Sequence, residues 1–375
     1  MTRYAHFVGT LPPDLIGDDR SVLEWFGDLA HRYPVTAIPC DIDPDWIDNY
    51  LADLSRHPAF ALAPVTRPGS DSAMPSYQLR PGHRLIPDDV SMNRHDRIVA
   101  IAGRYAQLQA ERPELAATPL QVSLPNPLDL AVFAFAGGVV DEGLPLVGTL
   151  AHPLPLAAAI RHLPTFTRAV LDEVDAVTAA IGRFGIVWQV ESPVATLAAI
   201  RATRLRVTPV LLPMIARQLA EILSELYDRN AQATLHLCWG DHLRQQTVAP
   251  SSLTPVVRLL NAAARRLRHR GTPLPPVHIP CAFDREPAPL APSFYAPLAR
   301  LDEGWSTIAG VVAPDSDSDT ALQRFEAAIG HPAFAVATTC GFGRRTTQGA
   351  QRAADATIAT ASTAKFPTMR PAFVH

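Results

Sequence analysis

Short apolar or β-branched runs alternate along the chain with longer stretches in which apolar residues recur three and four apart. The runs are "HFVGTL" (6–11), "TAIPCDI" (36–42), "LQVSLP" (120–125), "IVWQVES" (186–192), "TLHLCWG" (234–240), "VHIPCAF" (277–283), "TIAGVVA" (307–313) and "FAVATTC" (334–340). Between them, stretches such as "SVLEWFGDLAHRY", "RHDRIVAIAGRYAQLQAE" and "LTPVVRLLNAAARRLRHR" carry the helical period. Eight strands with helical crossovers predict a parallel sheet of the α/β class, because parallel neighbours cannot be joined by a tight turn. The expected fold is a (β/α)8 TIM barrel filling residues 1–375 as a single domain, although a doubly wound open sheet leaves the same local signals. No internal repeat or low-complexity block marks a second domain.

Two segments fall outside this rhythm. Residues 66–93 are polar and rich in Pro and Gly, and read as a long excursion after the second strand, either a lid or a plain surface insertion. Residues 360–375 read as a tail rich in Ser, Thr and Ala.

Composition narrows the chemistry. The chain has 375 residues, 18% of them charged, and a net charge of −3, so nothing in its overall balance favours nucleic acid or an anionic membrane. No apolar run is long enough to cross a bilayer, and the opening residues lack the pattern of a secretory signal, so a cytoplasmic location is expected. There the four cysteines read as thiols or metal ligands in preference to disulfides. Only Lys365 among the basic residues is a lysine, and it lies in the tail, which argues against Schiff-base and P-loop mechanisms.

In a barrel, reactive groups come from the carboxyl ends of the strands, and all four cysteines fall there: Cys40, Cys238, Cys281 and Cys340. His236 and Cys238 stand two apart on one run, so they share a strand face. With Cys340 they make a nitrogen and sulfur set of the kind Zn²⁺ prefers, leaving a fourth position open. Two thiolates and a neutral imidazole cancel the charge of the metal. An incoming thiol, whose free pKa is about 8.5, would lose its proton there and stay electron-rich. The alternative is a set of buried thiols with no metal.

These residues resemble the catalytic carboxy-terminal barrel of cobalamin-independent methionine synthase and the related zinc-dependent thiol methyl- and alkyltransferases. "HFVGTLP" is similar to that family's opening strand and Gly-Ser-Phe-Pro turn, "WQVESP" to its Gln-Ile-Asp-Glu-Pro strand, "LHLCWGD" to its His-x-Cys strand, and "TTCGFGRR" to its final Cys-Gly turn. The resemblance implies zinc ligation by His236, Cys238 and Cys340, and puts Thr10 and Glu191 at positions that contact an amino-acid substrate.

Several positions depart from the family pattern. Glu191 replaces an aspartate, Ser192 replaces the following glutamate, and "IPCDIDPDW" lacks a Gly-Glu pair. The family's glutamate zinc ligand is missing; at the comparable strand end stands Cys281, as a fourth ligand, a nucleophile or a buried thiol. Asp315 occupies the place of a catalytic histidine. Arg344 and Arg345 could hold a carboxylate or phosphate, or one of them could be a surface charge, while Asp241 and His242 could serve as acid and base, or Asp241 as a cap.

The expected function is therefore zinc-dependent transfer of a methyl or alkyl group to a small, homocysteine-like thiol. The metal is held by His236, Cys238 and Cys340, with Cys281 as candidate fourth ligand. Glu191 and Asp315 are the candidate catalytic groups, and Thr10, Ser192 and Arg344 the candidate substrate contacts. The partners would be a thiol or amino-acid-like molecule and a folate or corrinoid donor. Two other readings stay open: a metal-free enzyme resembling uroporphyrinogen decarboxylase, with Arg80, Arg84, Arg344 or Arg345 holding an acidic substrate, and a non-catalytic zinc- or corrinoid-binding barrel.

Overall fold

Seven of the eight apolar runs each hold a strand of a single parallel sheet, and the eighth strand lies just before the first run. In chain order these strands are β1 (Tyr4–Ala5), β2 (Ile38–Pro39), β5 (Leu120–Pro125), β6 (Ile186–Glu191), β7 (Gln232–His236), β8 (Val277–Pro280), β9 (Thr307–Val312) and β10 (Ala335–Thr338). The computed structural model describes residues 3–40, 45–64, 74–141, 153–182, 185–239, 250–282 and 286–363. The strands are hydrogen-bonded in the order β1-β10-β9-β8-β7-β6-β5-β2, every pair parallel. Residues of β8, β9 and β10 are buried throughout, as expected of a sheet covered by helices on one face and filled on the other.

The sheet curls on itself. β1 lies at one edge and β5 and β6 near the other, yet Gln121 of β5 donates to Phe7 O at 2.9 Å and Gln189 of β6 donates to Val8 O at 2.7 Å. A flat sheet would hold these groups several strand spacings apart. The edges β1 and β2 are joined by one bridge, Ala5 to Val35, with Ala5 N donating to Pro34 O at 2.9 Å and Thr36 N to Ala5 O at 3.0 Å. No continuous ladder between β1 and β2 closes the sheet among the described residues.

Helical crossovers return the chain between strands and cover the outside. Asp19–Arg32 follows β1, His95–Glu111 precedes β5, Thr254–His269 links β7 to β8, and Thr347–Ser362 follows β10. Their ends are set locally. Asp18 accepts from Ser21 N at 2.8 Å to start the first helix, and Asp317 accepts from Thr320 N at 3.0 Å to start Ser318–Ile329, which Gly330 stops with a φ of 81°. Arg3 is pinned near the amino end by two hydrogen bonds to the buried carboxylate of Glu326, at 2.6 and 2.7 Å. No helix among the described residues is long and apolar enough to cross a membrane.

The excursion after β2 is only partly described, since residues 66–73 lie outside the described residues. Around them, β3 (Phe60–Leu62) pairs antiparallel with β4 (Tyr77–Leu79). Tyr77, Leu85 and Val90 are buried, and the Tyr77 hydroxyl donates to Leu51 O at 2.8 Å. Most of the tail, from residue 364, also lies outside the described residues.

One strand differs from its expected position. The run 6–11 predicts a strand there, but β1 ends at Ala5, because beyond His6 the chain bends over the sheet. Gly9 has a φ of 119° and Thr10 a φ of 47°, and the carbonyls of Phe7 and Val8 turn toward the side chains of Gln121 and Gln189.

Candidate metal centre

All four cysteines sit at or just beyond carboxyl ends of strands: Cys40 after β2, Cys238 after β7, Cys281 after β8 and Cys340 after β10. Three donors converge. One ring nitrogen of His236 and the sulfurs of Cys238 and Cys340 lie within 4.8 Å of one another. Strand alternation brings His236 and Cys238 to one face, and curling of the sheet brings Cys340 from β10 to meet them. His236 and Cys238 are buried, and Cys340 is partly exposed, so the group opens to solvent on the Cys340 side.

The donor set fits a divalent metal ion. Both ring nitrogens of His236 are buried without a hydrogen-bond partner, a costly state for a polar group unless something else binds it. Burial, then the neighbouring His278 and His6, hold the His236 imidazole well below its ordinary pKa, so it presents the neutral form that ligates metals.

The surroundings are polar to an unusual depth. Glu191, His236 and His278 are in register on three neighbouring strands. Glu191 Oε2 comes to 3.6 Å from His236 Nε2, and Glu191 Oε1 accepts from Gln189 Nε2 at 2.8 Å. Burial pushes the Glu191 carboxyl up to about 8; the Gln189 hydrogen bond opposes this, and the nearby Cys340 and Asp129 add to the rise. His278 stacks on His236 with ring centroids 4.7 Å apart and planes 13° from parallel, and it donates from Nε2 to Thr338 O at 3.0 Å. Burial lowers His278 to about 4 and His6 to about 3. His6 in turn bonds Gln189 Oε1 at 3.2 Å and Thr36 Oγ1 at 2.8 Å. A chain of polar contacts thus runs from the donor group through Glu191, Gln189 and His6 to Thr36, where a barrel of the usual kind packs branched aliphatic side chains.

Thr10 lies beside the turn that carries Cys340. Its hydroxyl accepts from Gly343 N at 3.3 Å, and its carbonyl accepts from Phe342 N at 2.9 Å. A Cβ on Gly341 would run into Gly9 O and Thr10 Oγ1, so only glycine lets these two turns approach. A positive φ is strained for a β-branched residue such as Thr10, and this close packing holds it.

The other predicted residues are not gathered there. Cys281 is not among the mutually close donors; its thiol is fully buried, lies 3.6 Å from Ile279 O, and burial pushes its pKa up. Ser192 is fully buried and its hydroxyl accepts from Asn126 Nδ2 at 3.0 Å. Asp315 is exposed in the turn after β9 with a φ of 62°, a conformation that short acidic side chains tolerate. Arg344 is exposed two residues beyond Phe342. Asp241 and His242 lie outside the described residues.

The pattern of apolar runs overlooks His6, Gln121, Gln189 and His278. A signal was present, since Gln189 stands two before Glu191 and so shares its face. No protein-family model and no curated protein matches the chain.

Proposed function

We propose that the chain is a zinc-dependent transferase that moves a methyl or alkyl group onto a small thiol, on a (β/α)8-barrel scaffold. The observation that carries this reading is the convergence of His236, Cys238 and Cys340 within 4.8 Å, with neither buried nitrogen of His236 in a hydrogen bond.

His236, Cys238 and Cys340 would hold the ion. Bound there, zinc supplies a position at which a substrate thiol gives up its proton at neutral pH. The partial exposure of Cys340 leaves the approach for that thiol. Glu191, 15% exposed beside His236, would orient the polar end of an amino-acid-like substrate. Thr10 shapes the Cys340 turn, and its backbone carbonyl holds Phe342. The buried histidines stay neutral and add no charge that would compete with the metal.

The donor would be an electrophilic methyl or alkyl carrier, a folate or a corrinoid. The reading is tested by incubating zinc-loaded protein with a panel of small thiols and, in turn, methylcobalamin or a methylated folate, and measuring thioether by mass spectrometry. Zinc-dependent thioether formation that is lost in Cys340→Ser supports it. Thioether formation undiminished in Cys340→Ser, or none from any thiol or donor, contradicts it.

A further inference from the structure

The outer flank formed by the helices Thr208–Asp228 and Thr254–His269 carries two adjoining grooves, of about 720 and 370 Å³. Arg206, Arg258, Arg265 and Arg266 line the larger over an apolar floor that includes Leu212 and Pro213. Arg217, Arg265, Arg266 and Arg270 line the smaller. No acidic side chain lines either groove among the described residues.

These six arginines pair with no described carboxylate. Their neighbours do: Arg229 pairs with Asp175 and Glu225, and Arg268 with Asp302. Among the described residues, the one side-chain hydrogen bond of the six is Arg266 Nη1 donating to Ala262 O at 3.0 Å. The sequence shows the same bias, with no Asp or Glu anywhere from His242 to Phe283. The net charge of −3 averages over this face and conceals it.

Like charges crowded on one surface repel. Arg266 lies in the last turn of the helix and Arg270 just past its end, four residues on, a spacing at which equal charges destabilise, and Arg206 and Arg217 come from the segment packed beside it. Nothing within the described chain offsets that cost, which points to an external anion. One small anion would neutralise one or two guanidinium groups. From Arg258 to Arg270 is twelve residues, or about 18 Å of helix, close to the length of five successive phosphates at about 3.4 Å per strand.

Guanidinium forks match phosphate oxygens, and no Phe, Tyr or Trp lines either groove; the single ring there is the exposed His269 of the smaller one. We propose that this flank binds an extended phosphate polyanion through its phosphates alone. The ligand is a chain of repeated phosphate groups, either free polyphosphate or a nucleic-acid backbone. This site is separate from the metal centre and does not rest on it.

The test uses the full chain with inorganic polyphosphate and with a mixed-sequence DNA duplex, by fluorescence anisotropy between 50 and 200 mM salt. The expected result is binding at 50 mM with a log–log salt slope of about −4 to −5 for the duplex if five phosphates are neutralised. The triple variant Arg258→Gln, Arg265→Gln, Arg270→Gln, changed only at exposed positions, should bind more weakly and reduce that slope by about three, with metal content unchanged and a melting temperature no lower than that of the wild type. Binding of polyphosphate alone, weakened in the triple variant, assigns the flank to free phosphate chains; duplex binding with the reduced slope assigns it to a nucleic-acid backbone. Binding of neither probe at 50 mM, or undiminished binding by the triple variant, overturns the proposal.

Discussion

Gln189 donates from its side-chain amide to Glu191 Oε1 at 2.8 Å, two residues along the same strand, and so turns the other carboxylate oxygen toward His236. Carboxylates that orient a ligating imidazole tune metal affinity although they do not touch the metal. Gln189→Leu should therefore weaken metal binding by about 10-fold or more while leaving one site per chain. Competition against a chromophoric chelator measures this, and an unchanged affinity would remove Glu191 and its partners from the metal's support.

Gly341→Ala tests the packing of the Cys340 turn. The added methyl meets backbone as well as the Thr10 hydroxyl, so no rotamer change relieves it. The expected outcome is a loss of about 1–3 kcal/mol in stability, together with a weakened metal site. A variant with wild-type stability and metal content would show that the two turns are not tightly coupled.

Glu326→Ala separates stability from the site. It strips the carboxylate partner from Arg3, whose side chain keeps only 5% exposure, and removes the acceptor of Ala333 N just before β10, at the end away from Cys340. Leaving a buried charge uncompensated should cost about 3–5 kcal/mol in a urea unfolding experiment. Metal stoichiometry should stay at the wild-type value.

His6 gives a pH signature of known sign. Burial holds its imidazole at about 3 in the folded chain, against an ordinary value of 6.5. Between those values the unfolded chain binds the extra proton, so the stability tied to neutral His6 is full above pH 6.5 and declines as the pH falls toward 3. The stability difference between wild type and His6→Asn should shift against the wild type by about 2 kcal/mol from pH 8 to pH 5. A difference independent of pH would mean that His6 is not held neutral.

The periodic, local part of this architecture is legible in the sequence. Apolar runs long enough to be strands mark seven of the eight, and the ends of four of them carry the cysteines, of which Cys238 and Cys340 meet. The displaced first strand was not legible, because "HFVGTL" is as apolar as a strand but ends in Gly9 and Thr10, whose left-handed backbone depends on packing against Gly341. The polar interior was hidden for a related reason. His6 meets Gln189 across 183 residues of chain, and a single polar residue in an apolar run carries no sign of its partner. Cys281 and Ser192 sit at the strand ends that drew attention to them, yet their side chains are buried and engaged with Ile279 O and Asn126, a direction that spacing alone does not set.

Elemental analysis of purified protein decides whether His236, Cys238 and Cys340 form a zinc site. One zinc per wild-type chain is expected, lost in His236→Ala, Cys238→Ser and Cys340→Ser and retained in Cys281→Ser, whose thiol lies outside the mutually close donors. Absence of zinc after metal supplementation, or its retention in all four variants, would contradict it.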